Sequence, residues 1–210
     1  MRSWLKQWHL ARISKLTQSQ AAELKRSAIV FSPHQDDEVL GCGGTILRKK
    51  QAGAKVKIVF LCDGSESHSQ LMPPHEMATL RQKEAIAAAA KLGIAAEDVL
   101  FLKVKDGQLT DSQPLAIEQV AAILCQYRPE EVYVPYYLDP HPDHLGTNTA
   151  VMQALQTTDH SAIVWEYPVW FWHHWPWIHL PADGLKKNGW KEILKANLKL
   201  MRDFNHSVYI

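Results

Sequence analysis

The sequence predicts an α/β fold, a mostly parallel sheet with helices on both faces, in a single domain spanning 1–210. Three observations carry that expectation. Short apolar, β-rich runs recur at 28–31, 55–62, 99–102, 131–135 and 162–169. Longer helical patterns separate them, so the chain reads βαβαβαβαβ, the order of parallel strands joined by crossover helices. At 210 residues the chain is long enough for a sizeable core and has the usual length of one domain.

Residues 1–27 read as a helix, with Trp4, Leu5, Trp8 and Ala11 on one face and Arg2, Lys6, Arg12 and Lys15 around it. Packing on its own domain is the plain expectation. An interfacial membrane helix is the sharper one, because tryptophan with basic residues is that composition. Ala28-Ile29-Val30-Phe31 follows as a buried strand, and the pattern turns helical from about Gly44 to Lys50. The second strand, Lys55 to Cys62, ends in Asp63-Gly64-Ser65. Ser65 to Pro74 is a polar loop, and Glu76 to Leu92 is a helix stopped by Gly93. Val99 to Leu102 is a short strand with a turn at Asp106-Gly107. Gln113 to Tyr127 is a helix entered through Pro114, Glu131 to Pro135 a strand, Leu145 to Gln156 a helix and Ala162 to Val169 a strand. The segment from Trp165 to Trp177 holds five of the eight tryptophans, and Lys186 to Phe204 reads as a last helix. The expected division is therefore an N-terminal helix (1–27), a sheet core with the site (28–170) and an aromatic segment with a C-terminal helix (171–210).

A formal charge of +1 and the lack of a basic stripe argue against a nucleic-acid partner. Cys42, Cys62 and Cys125 are far apart and lie in or beside apolar segments, as buried free thiols of a reducing compartment would. No run of eighteen apolar residues is present, and the N-terminus lacks the apolar stretch of a signal peptide. A cytoplasmic location is expected.

Ser32-Pro33-His34-Gln35-Asp36-Asp37-Glu38 crowds one imidazole and three carboxylates at the carboxyl end of the first predicted strand. Open α/β sheets bind ligands there. Asp139-Pro140-His141-Pro142-Asp143-His144 lies at the end of a later strand. Its two histidines can complete a site begun by His34 and Asp37. Two imidazoles and one carboxylate leave a position for water, the composition of a catalytic zinc site. The three-residue spacing of His34 and Asp37 favours Asp37 over Asp36 as the ligand. A dinucleotide site fits poorly, because carboxylates would stand where a pyrophosphate must go. Gly41, Gly43 and Gly44 instead suit close helix–strand packing.

The SPHQDDEVLGCGGT stretch, the later HPDH, Cys62-Asp63-Gly64 and the Arg81-x-x-Glu84 pair together resemble the PIG-L (LmbE-like) family of zinc-dependent N-acetylglucosamine deacetylases. The resemblance covers about Ala28 to Trp170. It implies a Rossmann-like sheet, a Zn2+ ion and removal of acetyl from an N-acetylated sugar conjugate. By motif position it implies His34, Asp37 and His144 as zinc ligands, Asp36 as general base and His141 as the residue facing the oxyanion. Arg81 is similar to a substrate-contacting arginine. Asp143 is expected to hold His141 charged and oriented. Two departures stand out. Gln35 replaces the usual proline, and Asn205-His206-Ser207-Val208 stands where relatives carry a serine–glutamine pair and continue. Two alternatives remain: a zinc amidohydrolase acting on a non-sugar amide, or a catalytically impaired sugar- or lipid-binding relative. The aromatic segment is expected to border the acceptor side and, with the N-terminal helix, to contact a membrane surface weakly.

Overall fold

A computed structural model describes residues 21–67, 70–137 and 139–170, together with Gln7. The chain separates into two compact units, one of residues 21–169 and one joining 1–20 to 170–210. The first unit carries the sheet. The expected helix over 1–27 is described only at Gln7 and from Ala21 onward, and the expected helix over 186–204 lies outside the described residues.

A short α1 (Ala21–Leu24) leads into β1 (Ala28–Ser32). The order then runs α2 (Asp37–Gln51), β2 (Val56–Cys62), α3 (Pro74–Lys91), β3 (Val99–Val104), α4 (Gln113–Tyr127), β4 (Glu131–Pro135), α5 (Pro142–Thr157) and β5 (Ile163–Tyr167). All five strands are parallel, in the order β3-β2-β1-β4-β5. The chain builds outward from β1 to β3, then returns to the other side of β1 as β4. The reversal leaves a crevice at the carboxyl ends of β1 and β4, where open α/β sheets take their ligands. Both charged motifs follow one of these two strands.

The central strands β1, β2 and β4 are buried nearly throughout because both faces are covered, whereas the edge strands β3 and β5 are partly exposed. Ile29 and Phe31, Val59 and Leu61, and Val132 and Val134 point to one face, against Ala116, Val120 and Leu124 of α4 and Ala150, Val151 and Ala154 of α5. Val30, Ile58 and Phe60 alternate to the other face and are equally buried, on the side where α2 lies against β1 and β2. Gly41 is required there. The ring of Tyr167 lies where any Cβ at that position would fall, and its hydroxyl donates to the Phe31 carbonyl at 2.8 Å. Gly44 meets nothing comparable.

Two helices start earlier than their periodicity indicates. α2 starts at Asp37 rather than near Gly44, and α5 at Pro142 rather than Leu145. Each begins with helix-entry chemistry: acids in the first turn of α2, and proline then aspartate in α5. β3 also outruns its expected end at Leu102. Between Phe60 and Cys62 of β2 the partner advances from Phe101 to Val104, so β3 carries one extra residue. Lys103 takes up this bulge at φ 59°, a left-handed conformation unusual for lysine. Cys42 and Cys62 are buried as expected, but Cys125 is exposed, on the outer side of α4. Among the described residues no helix is long and apolar enough to cross a membrane.

Candidate metal centre

The two motifs meet on one carboxylate. Asp37 opens α2 and is buried, and its Oδ2 lies 3.2 Å from His34 Nδ1 and 3.2 Å from His144 Nε2. The His34 main-chain N–H also donates to this oxygen at 3.2 Å. His144 is in the first turn of α5 and fully buried. His141, at the entry to α5, completes a cluster of three imidazoles, with ring centroids 5.0 Å from His34 and 4.9 Å from His144. One nitrogen from each ring falls within 4.8 Å of the others, a group able to hold a metal ion.

The far side of each expected imidazole ligand is also occupied by carboxylate. His144 Nδ1 faces Asp139 Oδ1 at 3.2 Å. His34 Nε2 faces Asp106 Oδ1 at 3.0 Å and Asp143 Oδ2 at 3.1 Å. Carboxylates behind metal-ligating imidazoles fix the ring and raise its basicity. Asp106 arrives from the bulged end of β3. Its main-chain N–H donates to Asp63 Oδ1 at 3.1 Å, the oxygen that also takes the Ser65 N–H at 3.0 Å. Asp139 holds the start of the histidine loop by accepting the His141 N–H at 3.2 Å.

These carboxylates create a demand for positive charge. Burial disfavours a charged His34, but hydrogen bonds to Asp106, Asp143 and Asp37 outweigh it and hold the ring well above the usual imidazole range. Burial also opposes charge on His144, yet Asp139 and Asp37 push it up to about 9. Burial would raise Asp37, but His144 and His34 hold it well below the usual carboxylate range. Glu38, the next residue on α2, is pushed up to about 8, first by burial and then by the charges of Asp36 and Asp37.

The residues fit a metal. Both ring nitrogens of His144 are buried and make no aligned hydrogen bond, although each lies 3.2 Å from a carboxylate oxygen. Donors about 2.0–2.1 Å from one tetrahedral ion stand about 3.3 Å apart, close to the spacing found here. Two imidazoles and one carboxylate also leave one coordination position open.

Three of the expected site residues, Asp143, His141 and Arg81, meet partners that the motifs do not announce. Asp143 does not brace the His141 ring with its carboxylate. Its Oδ2 goes to His34 Nε2 and to the Gly107 N–H at 2.9 Å, and its Oδ1 takes the Leu109 N–H at 3.3 Å. Helix geometry is the reason: at the second position of α5 its side chain projects toward the loop after β3, and it meets His141 through its main-chain N–H, 3.2 Å from Nδ1. A ring whose Nδ1 accepts carries its hydrogen on Nε2. His141 is thus set as a neutral donor rather than a charged one, and burial, then His34 and His144, lower its pKa. Arg81 is engaged within the protein. Its guanidinium donates to the Gln35 carbonyl and to Asp36 Oδ2, each at 3.0 Å, and to Glu84 Oε2 at 3.0 Å. Asp36 stands apart from Asp37: its side chain is 55% exposed and paired with Arg81. Gln35, in place of proline, ties the turn to β2, donating from Nε2 to the Cys62 carbonyl at 2.8 Å.

The motifs assign no role to Asp106 or Asp139. Asp139 carries a signal, two residues before His141 in the same loop. Asp106 carries none beyond its turn with Gly107, because it reaches His34 across 72 residues. Of the aromatic segment, Trp165 is half-buried and Trp170 exposed, and residues 171–177 lie outside the described residues.

The family described as PIG-L: GlcNAc-PI de-N-acetylase matches residues 29–155, more than half of the chain. The chain is 28% identical over 139 residues to a probable N-acetyl-alpha-D-glucosaminyl L-malate deacetylase 2 of Bacillus anthracis, covering 63% of this chain and 61% of that protein. It is 30% identical over 172 residues to a 1D-myo-inositol 2-acetamido-2-deoxy-alpha-D-glucopyranoside deacetylase of Mycobacterium sp. (strain KMS), covering 70% and 54%. The chain therefore spans less than two thirds of either relative's length. Among solved structures, the conserved protein TT1542 of Thermus thermophilus is 29% identical with a TM-score of 0.57, covering 68% of this chain and 66% of that one. The 4-carboxy-2-hydroxymuconate hydratase GalB of Pseudomonas putida KT2440 shares the fold at 23% identity and a TM-score of 0.59, covering 67% and 65%. The same fold thus carries a hydratase, so the reaction has to be argued from the site.

Proposed function

The chain belongs to the PIG-L family, and from that premise we propose that it is a zinc-dependent N-deacetylase of an N-acetylated amino-sugar conjugate. One observation carries this reading: His34 and His144, from motifs a hundred residues apart, converge on the Asp37 carboxylate at 3.2 Å each. The names of the relatives, deacetylases of N-acetylglucosamine-type conjugates, supply the substrate class.

His34, Asp37 and His144 would hold the zinc. When bound, zinc polarises a carbonyl and lowers the pKa of water to about 7. Asp139 orients His144, while Asp106 and Asp143 orient His34. Of the two motif carboxylates that no imidazole engages, Glu38 is fully buried and Asp36 is half-exposed at the entry to α2, so Asp36 is assigned the proton-transfer role. Arg81 holds Asp36 in place. The oxygen of water bonds to the acetyl carbon, the C–N bond breaks, and acetate and a free amine leave. Asp36 takes the proton of water and returns it to the departing nitrogen. His141 donates its Nε2 hydrogen to the acetyl oxygen as negative charge grows there, the kind of preorganised donor that contributes most to such reactions.

The test is release of acetate with equimolar primary amine from N-acetylglucosamine conjugates (malate, inositol and chitobiose among them) beside non-sugar acetamides. Acetate from the sugar conjugates is the expected result. Turnover of non-sugar amides alone would move the assignment to a general amidohydrolase. A metal-loaded protein releasing acetate from none of them would leave a binding relative.

A further inference from the structure

We infer that His34, Cys62, Asp106 and Asp143 form a second cation site, closed by four protein donors and selective for a thiophilic divalent ion such as zinc or cadmium. It lies on the far side of His34 from Asp37, so one imidazole would serve both sites, Nδ1 toward the first and Nε2 toward the second. The inference goes beyond the deacetylase reading and shares with it only the placement of His34.

The geometry points there because His34 Nε2 is over-supplied with acceptors. A ring nitrogen carries at most one hydrogen. Asp106 Oδ1 lies 3.0 Å from it and Asp143 Oδ2 3.1 Å, and the Cys62 sulfur falls within 4.8 Å of all three donor atoms. One ring hydrogen is shared between two carboxylate oxygens, and a cation among four donor atoms within 4.8 Å of one another would answer both at once.

The donors are also held in place. Asp143 is fixed by the N–H groups of Gly107 and Leu109, and Asp106 Oδ2 by the Glu66 N–H at 3.2 Å. The bulge at Lys103 and the Asp63 cap set the approach of the Asp106 loop. Cys62 ends β2 and is fully buried. The partly exposed side chains of His34 and Asp106 give an ion its way in.

Sulfur with imidazole and carboxylate is a donor set for zinc or cadmium rather than for magnesium or calcium. Four protein donors leave no open position, the mark of a holding site rather than a reacting one. An arriving ion displaces the proton on Cys62 Sγ and the hydrogen on His34 Nε2. Both protons leave to solvent, no electrons move, and His34 then bridges two ions as imidazolate. The second ion binds more weakly than the first, because the two positive charges share one ring.

The experiment is a cadmium titration of chelator-stripped full-length protein, following stoichiometry, proton release and the ultraviolet thiolate-to-metal charge-transfer band. The expected result is two equivalents, the weaker one bringing the band and releasing about two protons, as coordination by deprotonated ligands requires. Cys62→Ser should lose the band and that equivalent and keep the other, whereas Cys42→Ser and Cys125→Ser should keep both. No band in the wild type, or a band surviving Cys62→Ser, would overturn the proposal. Should Cys62→Ser not fold, Asp106→Asn decides: at least about tenfold weaker band formation supports the site, and an unchanged midpoint removes it. His144→Ala separates the two readings, because it should lose the first equivalent and keep the band. A wild type that shows the band without the first equivalent would fault the zinc assignment above and leave this site standing.

Discussion

The two ends of the same sheet bury charge in opposite ways. At the amino end, Lys49 Nζ lies 2.6 Å from Glu131 Oε2 and donates to the carbonyls of Glu23 and Arg26 at 3.1 and 3.0 Å. Tyr133 donates its hydroxyl to Glu131 Oε2 at 2.9 Å, and Arg26 reaches Oε1 at 3.3 Å. Each charge there meets a protein partner, and the network ties α1, α2 and β4 together. At the carboxyl end, Asp37, Asp106, Asp139 and Asp143 crowd the imidazoles of His34 and His144. Both His144 ring nitrogens are buried there without an aligned hydrogen bond. A network that completes itself is sufficient as structure. One that stays incomplete and negative has room for a cation, which the strand ends supply by holding their side chains fixed.

The contrast can be broken most directly at His144. His144→Ala should lose the first metal equivalent, and turnover should fall about a thousandfold or more, since several kcal/mol of charge stabilisation go with the ion. Metal analysis after gel filtration checks it, and a fully loaded variant would sink the ligand set. Next come the adjacent aspartates. Asp36→Asn should keep metal and lose turnover by about two to four orders of magnitude. Asp37→Asn should lose metal affinity first and regain activity in excess zinc. The opposite pattern would show the two roles exchanged.

The amino end should respond in stability alone. Lys49→Met strands a buried carboxylate and should cost about 3–5 kcal/mol in urea unfolding, with metal stoichiometry of the folded protein unchanged. Loss of metal in that variant would mean that the two ends are not separate. Asp139→Asn is milder: isothermal titration should give roughly 10–100-fold weaker metal binding, the usual effect of removing a carboxylate behind a ligating imidazole. No change would make Asp139 only a loop brace.

The smallest effect lies at Glu130, at the edge of the amino-end network. The Ser27 N–H, then its hydroxyl, hold this carboxylate below its ordinary 4.5. Its folded value being depressed, its stabilisation is present above about pH 4.5 and lost as pH falls through the folded value. Because the side chain is exposed, Ser27→Ala should change stability near neutrality by less than about 1 kcal/mol. The difference from wild type should shrink in acid unfolding curves below that window to what the Glu130 N–H loses, since it donates to the Ser27 Oγ at 3.1 Å whatever the pH. A difference that does not shrink in acid would mean that the hydroxyl-to-carboxylate bond contributes nothing.

By itself the sequence determined the strands, their parallel order of layers and the two motifs, because alternation, helix entry and clustered charge are local properties. Even the early starts of α2 and α5 are legible, in Asp37-Glu38 and in Pro142-Asp143, once acids and proline at a helix entry are weighed above apolar spacing. Only the tertiary structure decided which group answers which. Asp143 finds His34 across 109 residues and Asp106 finds it across 72. Arg81 takes Asp36 across 45. Those pairings depend on a bulge at a lysine with no glycine to announce it, on strand ends meeting at the reversal of the sheet, and on the direction a side chain leaves the first turn of a helix. Each is a distance between segments far apart in the chain, set by how the layers pack.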